Sequence, residues 1–188
     1  MPTLPRLAAD EVLRNYFRAK DGNRPHLRRE VFCEDATLEV IVNAGAVSFP
    51  PLCQGQEQIA DVLVRKFGQT FDNVYSFYLG RPATNAALDD FRCDWLVAMT
   101  EKAGGAPRVG CGRYDWHFAA ASGLAEGLVI TIEAMQVLSS RHAASILHWV
   151  AALPYPWCPA RAAVETAPAI AELRPVLDYI GRGAPVDE

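Results

Sequence analysis

No two of the five cysteines, Cys33, Cys53, Cys93, Cys111 and Cys158, stand close enough in sequence to form a C-x-x-C pair. Their odd number and wide spacing argue against a disulfide framework and a zinc cluster, and a reducing, cytoplasmic setting is the expectation. The four histidines, His26, His117, His142 and His148, show no i,i+4 or H-x-x-H spacing, so no metal site is expected. No apolar run approaches the roughly 18 residues of a membrane-spanning helix, and the first residues lack the pattern of a secretion signal. A soluble protein with no membrane partner is expected. A dense Lys/Arg block is also missing and the formal net charge is −4, which argues against nucleic acid as a partner. Gly110-x-Gly112 lies inside a strand pattern, not between a strand and a helix, so no phosphate loop and no cofactor is implied.

What the sequence does contain is a regular succession of short amphipathic elements. Val12, Leu13, Tyr16 and Phe17 recur on one face of a helix that opens at Ala9 or Asp10 and closes at Asp21-Gly22-Asn23. Pro25 suits the first turn of a short second helix, His26 to Phe32. Ala36 to Val42 reads as a strand, residues 43–54 with Gly45 and Pro50-Pro51 as a loop, and Gln56 to Phe67 as a third helix ended by Gly68. Asn73 to Leu79 is a second strand. Three long strand runs follow, Phe91–Thr100, Arg108–Ala119 and Leu128–Leu138, joined as an antiparallel meander. The plan is α+β, with helices covering one face of a curved sheet, and Gly110, Gly112 and Gly127 are candidate points for relieving the bend. Beyond Leu138 the pattern changes, and a helix from Ala167 to Ile180, interrupted near Pro175, precedes a polar Gly/Pro-containing tail expected to be loose.

This order of elements, with Tyr16-Phe17 late in the first helix, Phe32-x-x-Asp35-Ala36 before the first strand, Gly55-x-x-x-Ile59 opening the third helix and Tyr114-Asp115 in the meander, resembles the SnoaL-like branch of the nuclear-transport-factor-2-like (NTF2-like) superfamily. The resemblance covers residues 8–138 and leaves 139–188 as a C-terminal extension. It implies a cone: a strongly curved mixed sheet wrapped around the N-terminal helices, with a ligand pocket inside and often a dimer made through the outer sheet face. Because such folds carry many activities, the reaction must come from the site.

Three constellations are candidates. Arg92, Asp94 and Glu133 resemble, in element and order, the Arg-x-Asp and final-strand acid of limonene-epoxide-hydrolase-type members. Chemistry there would need one carboxylate protonated and the other ionised, with the arginine fixing both. A structural ion-pair network is the competing reading. In the second constellation, Arg113, Asp115 and His117 share one face of a strand, while Tyr114, Trp116 and Phe118 share the other. If the odd face points inward, Asp115 and His117 could act as acid and base, as the resemblance to polyketide cyclases implies. If the even face does, the aromatics wall the cavity. The burial demand of large rings favours the latter. The third candidate is Tyr16, whose ring belongs to the helix stripe and whose hydroxyl could reach a ligand. Phe67 and Met135 complete the expected pocket lining. Cys93 and Cys111 read as small buried hydrophobes.

Two function classes follow. One is a cofactor-independent acid/base enzyme, a lyase, isomerase or hydrolase, acting on a small apolar oxygen-bearing molecule. The other is a non-catalytic ligand-binding or protein-interaction module whose carboxylates are locked in ion pairs. A homodimer is expected, because Cys93, Trp95, Val97 and Met99 form a second apolar strip that a lone domain would expose unless the C-terminal segment covers it. Within that segment Leu153–Pro159, with three prolines, forms a stiff strap expected to pack on the protein's own body.

Overall fold

The computed structural model describes residues 6–43 and 47–182. The expected turn at Gly45 and the polar tail after Arg182 lie outside the described residues. The first helix, α1 (Ala9–Lys20), carries Asp10 and Glu11 in its first turn and Arg18 and Lys20 in its last, which suits the helix dipole at both ends. Its apolar stripe includes Val12, Leu13, Tyr16 and Phe17, each at most 2% exposed. A 3-10 turn over Pro25–Glu30 leads into β1 (Phe32–Val42), four residues longer at its start than the alternation indicated. A short strand, β2 (Leu52–Gln54), stands where only loop was expected. The third helical segment runs as α2 (Gln56–Ala60), a π-helical stretch over Asp61–Lys66 and α3 (Phe67–Thr70), so Gly68 does not end it. Then come β3 (Phe71–Tyr78), β4 (Asp90–Glu101), β5 (Pro107–Phe118) and β6 (Ala125–Val137).

The six strands form one mixed sheet in the order β2-β1-β6-β5-β4-β3, wrapped around the N-terminal helices, with β1 and β6 parallel and every other pair antiparallel. The expected strongly curved cone is corrected here. The sheet is neither closed nor strongly curled: β2 and β3 are separate edges, and β4 and β5 pair without a break from Asp90↔His117 to Thr100↔Pro107. Register irregularities interrupt the ladders, the largest between the Phe32↔Ala125 and Thr37↔Gly127 pairs of β1 and β6. Glu133 is the extra residue on β6 where Cys111↔Ala134 gives way to Gly112↔Ile132, and Glu126 is extra between the His117↔Gly127 and Phe118↔Ala125 pairs. Gly112 has a steric reason: a Cβ there would lie 1.8 Å from the Thr131 carbonyl oxygen and 2.9 Å from the Trp95 ring.

A physical reason for the open sheet is that both of its faces carry apolar load. On the inner face Cys93, Trp95, Val97 and Met99 of β4 and Tyr114, Trp116 and Phe118 of β5 pack with α1. On the outer face Phe77, Leu96, Ala98, Val109 and Cys111 meet a C-terminal layer built from α4 (Ala143–Ala151), α5 (Ala160–Thr166) and α6 (Arg174–Gly181). The strip proposed to be left for a dimer partner is thus the inner core, and the second strip is covered by the chain itself. Of the helix expected over Ala167–Ile180, only α6 and a 3-10 turn at Ala171–Leu173 form, α5 ends before it, and Pro175 does not interrupt a helix but sits in the first turn of α6, where its missing N–H costs nothing.

The proline strap packs on the body. Its Trp157 forms a parallel bridge with Tyr78: the Tyr78 N–H donates to the Pro156 carbonyl at 2.8 Å and the Cys158 N–H to the Tyr78 carbonyl at 2.9 Å. The Trp157 and Tyr78 rings stack with centroids 5.0 Å apart. Among the described residues no helix is long and apolar enough to cross a membrane, and no group of three or more His, Cys, Asp or Glu side chains is placed to hold a metal.

Candidate functional site

Between α1, the 61–70 helical segment and the inner face of β4–β6 lies a cavity of about 70 Å³. Helical spacing puts Tyr16 and Lys20, one turn apart, on the face of α1 that turns toward the sheet. Strand alternation brings Trp95, Val97 and Met99 from β4 and Tyr114 from β5 to the same side. The Glu133 bulge lets β6 present both Ile132 and Met135, three residues apart, to the cavity. Val47, Phe49, Phe67, Phe71 and Arg108 also line an adjoining chamber of about 280 Å³.

The walls are mostly apolar, with a few polar groups. Burial pushes the Tyr16 and Tyr114 hydroxyls up, Tyr114 well above the usual phenol range; a hydrogen bond between them opposes that rise at Tyr16 and adds to it at Tyr114. Lys20 is buried. Its Nζ donates to Ser76 Oγ at 2.7 Å, meets Asp21 Oδ1 at 2.8 Å and sits 4.7 Å from the centroid of the Phe67 ring. Asp21 in turn accepts from the Ser76 N–H at 2.9 Å and the Ser76 hydroxyl at 2.8 Å. Arg108 bonds Glu101 through Nε at 2.6 Å and lies over the Phe71 ring at 5.4 Å.

Four of the five residues expected to line the pocket, Tyr16, Tyr114, Phe67 and Met135, do line it. Trp116 does not: it is fully buried core, edge-on to Tyr16 at 5.1 Å and stacked on Phe118 at 6.1 Å. The five residues offered as catalytic all sit away from the cavity; Arg92 and Asp115, from different constellations, are brought together, while Asp94, Glu133 and His117 pair with other residues. Arg92 meets Asp115, which also accepts from Arg113 Nε at 3.0 Å. Asp94 accepts from Arg182 Nη2 at 3.1 and 3.3 Å and from the Tyr179 hydroxyl at 3.2 Å, which fastens α6 to β4. Glu133, on its bulge, accepts from Asn43 Nδ2 at 3.1 Å. His117 Nδ1 lies 2.5 Å from Asp90 Oδ1 at the exposed end of the sheet. Burial by itself would raise the Asp115 carboxyl, but hydrogen bonds and charge from Arg113 and Arg92 outweigh it and hold it below the ordinary aspartate value. Burial, then the neighbouring Asp94 charge, pushes the Cys93 and Cys111 thiols up to about 12, which leaves neither a ready nucleophile.

Sequence reasoning missed Lys20, Asp21, Ser76 and Arg108. The signal for Lys20 was present: positions 13, 16, 17 and 20 share one helix face, so a lysine closes an otherwise apolar stripe. Asp21 follows Lys20 in the chain, but Ser76 meets the pair only through tertiary packing between α1 and β3.

No protein-family profile and no curated protein matches the sequence. Solved structures match in fold. An NTF2-like superfamily protein from Salmonella enterica serovar Typhimurium aligns at 19% identity with a TM-score of 0.51, over 66% of this chain and 88% of that one. Hexachlorocyclohexane dehydrochlorinase LinA-type3 from Novosphingobium barchaimii aligns at 12% identity and 0.54, over 70% and 88%. The Kfla4162 protein from Kribbella flavida aligns at 16% and 0.54, over 69% and 90%. The fold resembles that of a protein described as NTF2-like and of hexachlorocyclohexane dehydrochlorinases alike, and so does not single out the SnoaL-like branch. At these identities the likeness concerns the fold alone.

Proposed function

We propose that this chain is a small-molecule pocket protein that holds an apolar ligand between α1 and the inner face of its sheet. The observation that carries this reading is the separation of the two sets of residues. The cavity is walled by aromatic and aliphatic side chains with a few polar groups, while Asp94, Asp115, Glu133 and His117 are engaged elsewhere. Apolar walls with a few placed polar groups are the usual lining of a ligand site, and because the cavity holds only about 70 Å³ the ligand would extend into the adjoining 280 Å³ chamber. Acid/base turnover by the carboxylates would require a substrate on the outer face, where Arg92, Arg113, Asn43 and Arg182 already occupy them. Ligand binding without turnover by those acids is therefore the better supported of the two classes.

The test uses the methionines as local reporters. Of three, Met99 and Met135 line the cavity, so ¹³C-methyl labelling gives two site probes in a nearly empty spectrum. Toluene is expected to shift both methyl signals saturably, and Val97→Trp, which fills the chamber, to abolish the shift while the protein still melts cooperatively. Methyl signals unmoved at saturating toluene would reject the reading.

A further inference from the structure

We infer that the ligand's body is apolar but its end is a carboxylate, and that Lys20 is the group that anchors it. The inference rests on the pocket reading above and adds the ligand's chemical class. Among the described residues that line the inner chamber and its outer neighbour, the charged ones are Lys20, Arg108 and Lys66, and no Asp or Glu joins them. Each of the three is itself ion-paired, Lys20 with Asp21, Arg108 with Glu101 and Lys66 with Asp61, so what they offer a ligand is N–H donors set in mostly apolar walls.

Lys20 is the one of the three that is nearly fully buried, with 7% of its side chain exposed. An ammonium has three N–H donors. Ser76 Oγ and Asp21 Oδ1 account for two, and the Phe67 ring, itself part of the cavity wall, faces the group at 4.7 Å. Asp21 is the counter-ion of the Lys20 ammonium and is itself held by the Ser76 N–H and hydroxyl. The Asp21–Ser76 pair thus fixes where the ammonium sits, as a positioning unit, and leaves its remaining donor for a carboxylate oxygen at the chamber wall. Tyr16, one turn earlier on α1, lines the same chamber and places a hydroxyl beside the ligand's body.

Two matched probe pairs test this: benzoate with benzyl alcohol, and hexanoate with hexanol, each titrated while the Met99 and Met135 methyl signals are followed. In the unmodified protein the carboxylate of at least one pair is expected to bind roughly tenfold or more tighter than its alcohol, the range of a charge-assisted hydrogen bond. In Lys20→Met/Asp21→Asn, which removes both charges together, the ratio should fall to about one. Lys20→Gln keeps a hydrogen-bonding side chain toward Ser76 and Asp21, and should likewise lose most of the preference if the double variant does not fold. Alcohols that bind as tightly as carboxylates in the unmodified protein would overturn the inference and leave the apolar pocket standing. A carboxylate preference that survives the variants would remove Lys20 as the anchor. Failure of all four probes to move either methyl would overturn the pocket reading and this inference with it.

Discussion

Replacing Asp94 with asparagine separates the two roles that an acid in this strand could have. The substitution keeps the size and one acceptor oxygen but removes the negative charge that Arg182 meets. Asp94 is 30% exposed and Arg182 49%, so water screens the pair and the surface range of about 0.2–1 kcal/mol applies to it. The Tyr179 hydroxyl bond at 3.2 Å survives in weakened form, since an amide oxygen replaces a carboxylate. The expected total is about 1 kcal/mol, well short of the 3–5 kcal/mol that follows when one partner of a fully buried ion pair is removed. The loss should reside in α6. Native-state hydrogen exchange is expected to quicken roughly fivefold at the amides of residues 176–180, whereas local openings of α1, which leave the clasp closed, keep their rates. Ile180→Ala offers a scale within the same helix: Ile180 is 3% exposed, and its truncation should cost about 2–4 kcal/mol, so apolar contact holds α6 more firmly than the clasp does. Toluene affinity should be the same in Asp94→Asn as in the unmodified protein. Weakened toluene binding with α6 protection intact would refute the assignment of Asp94 to the outer layer.

Gly112→Ala is expected to cost more than 3 kcal/mol or to prevent soluble expression, because its Cβ would collide with the Thr131 backbone and the Trp95 ring; Gly104→Ala, with open space but a φ of +93°, should cost only about 1 kcal/mol by denaturant titration. Asp115, with its folded pKa held low, contributes stability that is complete above the unfolded aspartate value near ~4 and is lost as pH falls through the lower folded value; Asp115→Asn should therefore flatten the acid limb of a stability–pH curve, and an unchanged limb would count against the Arg92–Asp115–Arg113 cluster. Light scattering of the full chain should return a mass near 20.6 kDa, because the outer apolar strip is already covered, whereas truncation after Leu138 should expose Phe77, Leu96 and Val109 and cause association; a full-length species of twice that mass would show that a second copy docks on another surface.

Strand alternation carried the meander well. The three long runs, their order and the separation of Tyr114, Trp116 and Phe118 from Arg113, Asp115 and His117 were all legible, since a period of two fixes which residues share a face. Which face pointed inward followed from ring size. The same rule could not say that Arg92 and Asp94 would find Asp115 and Arg182: the first lies across a strand pair, and the second arrives from 88 residues away. The helices of the C-terminal layer were hard to read because Ala143–Ala151 and Ala160–Thr166 are short and alanine-rich, and their stability comes from burying Ile146, Trp149 and Ala163 on the sheet. That layer also accounts for the departure from the cone that the resemblance implied. With one face bare, the sheet would have had reason to curl around α1; with a second layer to cover, it stays open.

An open sheet has two edges, and each presents backbone groups that a stray strand from another molecule could use as a template. On one side β2 is only three residues long and offers little length to copy. On the other, β3 carries an extra residue between Asp72 and Tyr75, with Asn73 at a positive φ, and at Tyr78 the backbone N–H and carbonyl are both taken up by the proline strap. Pro154, Pro156 and Pro159 have no N–H to donate, so the strap ends the ladder after a single residue instead of extending it. The Leu153–Pro159 segment thus caps the Tyr78 end of the β3 edge, the place where a stray strand would otherwise continue the ladder.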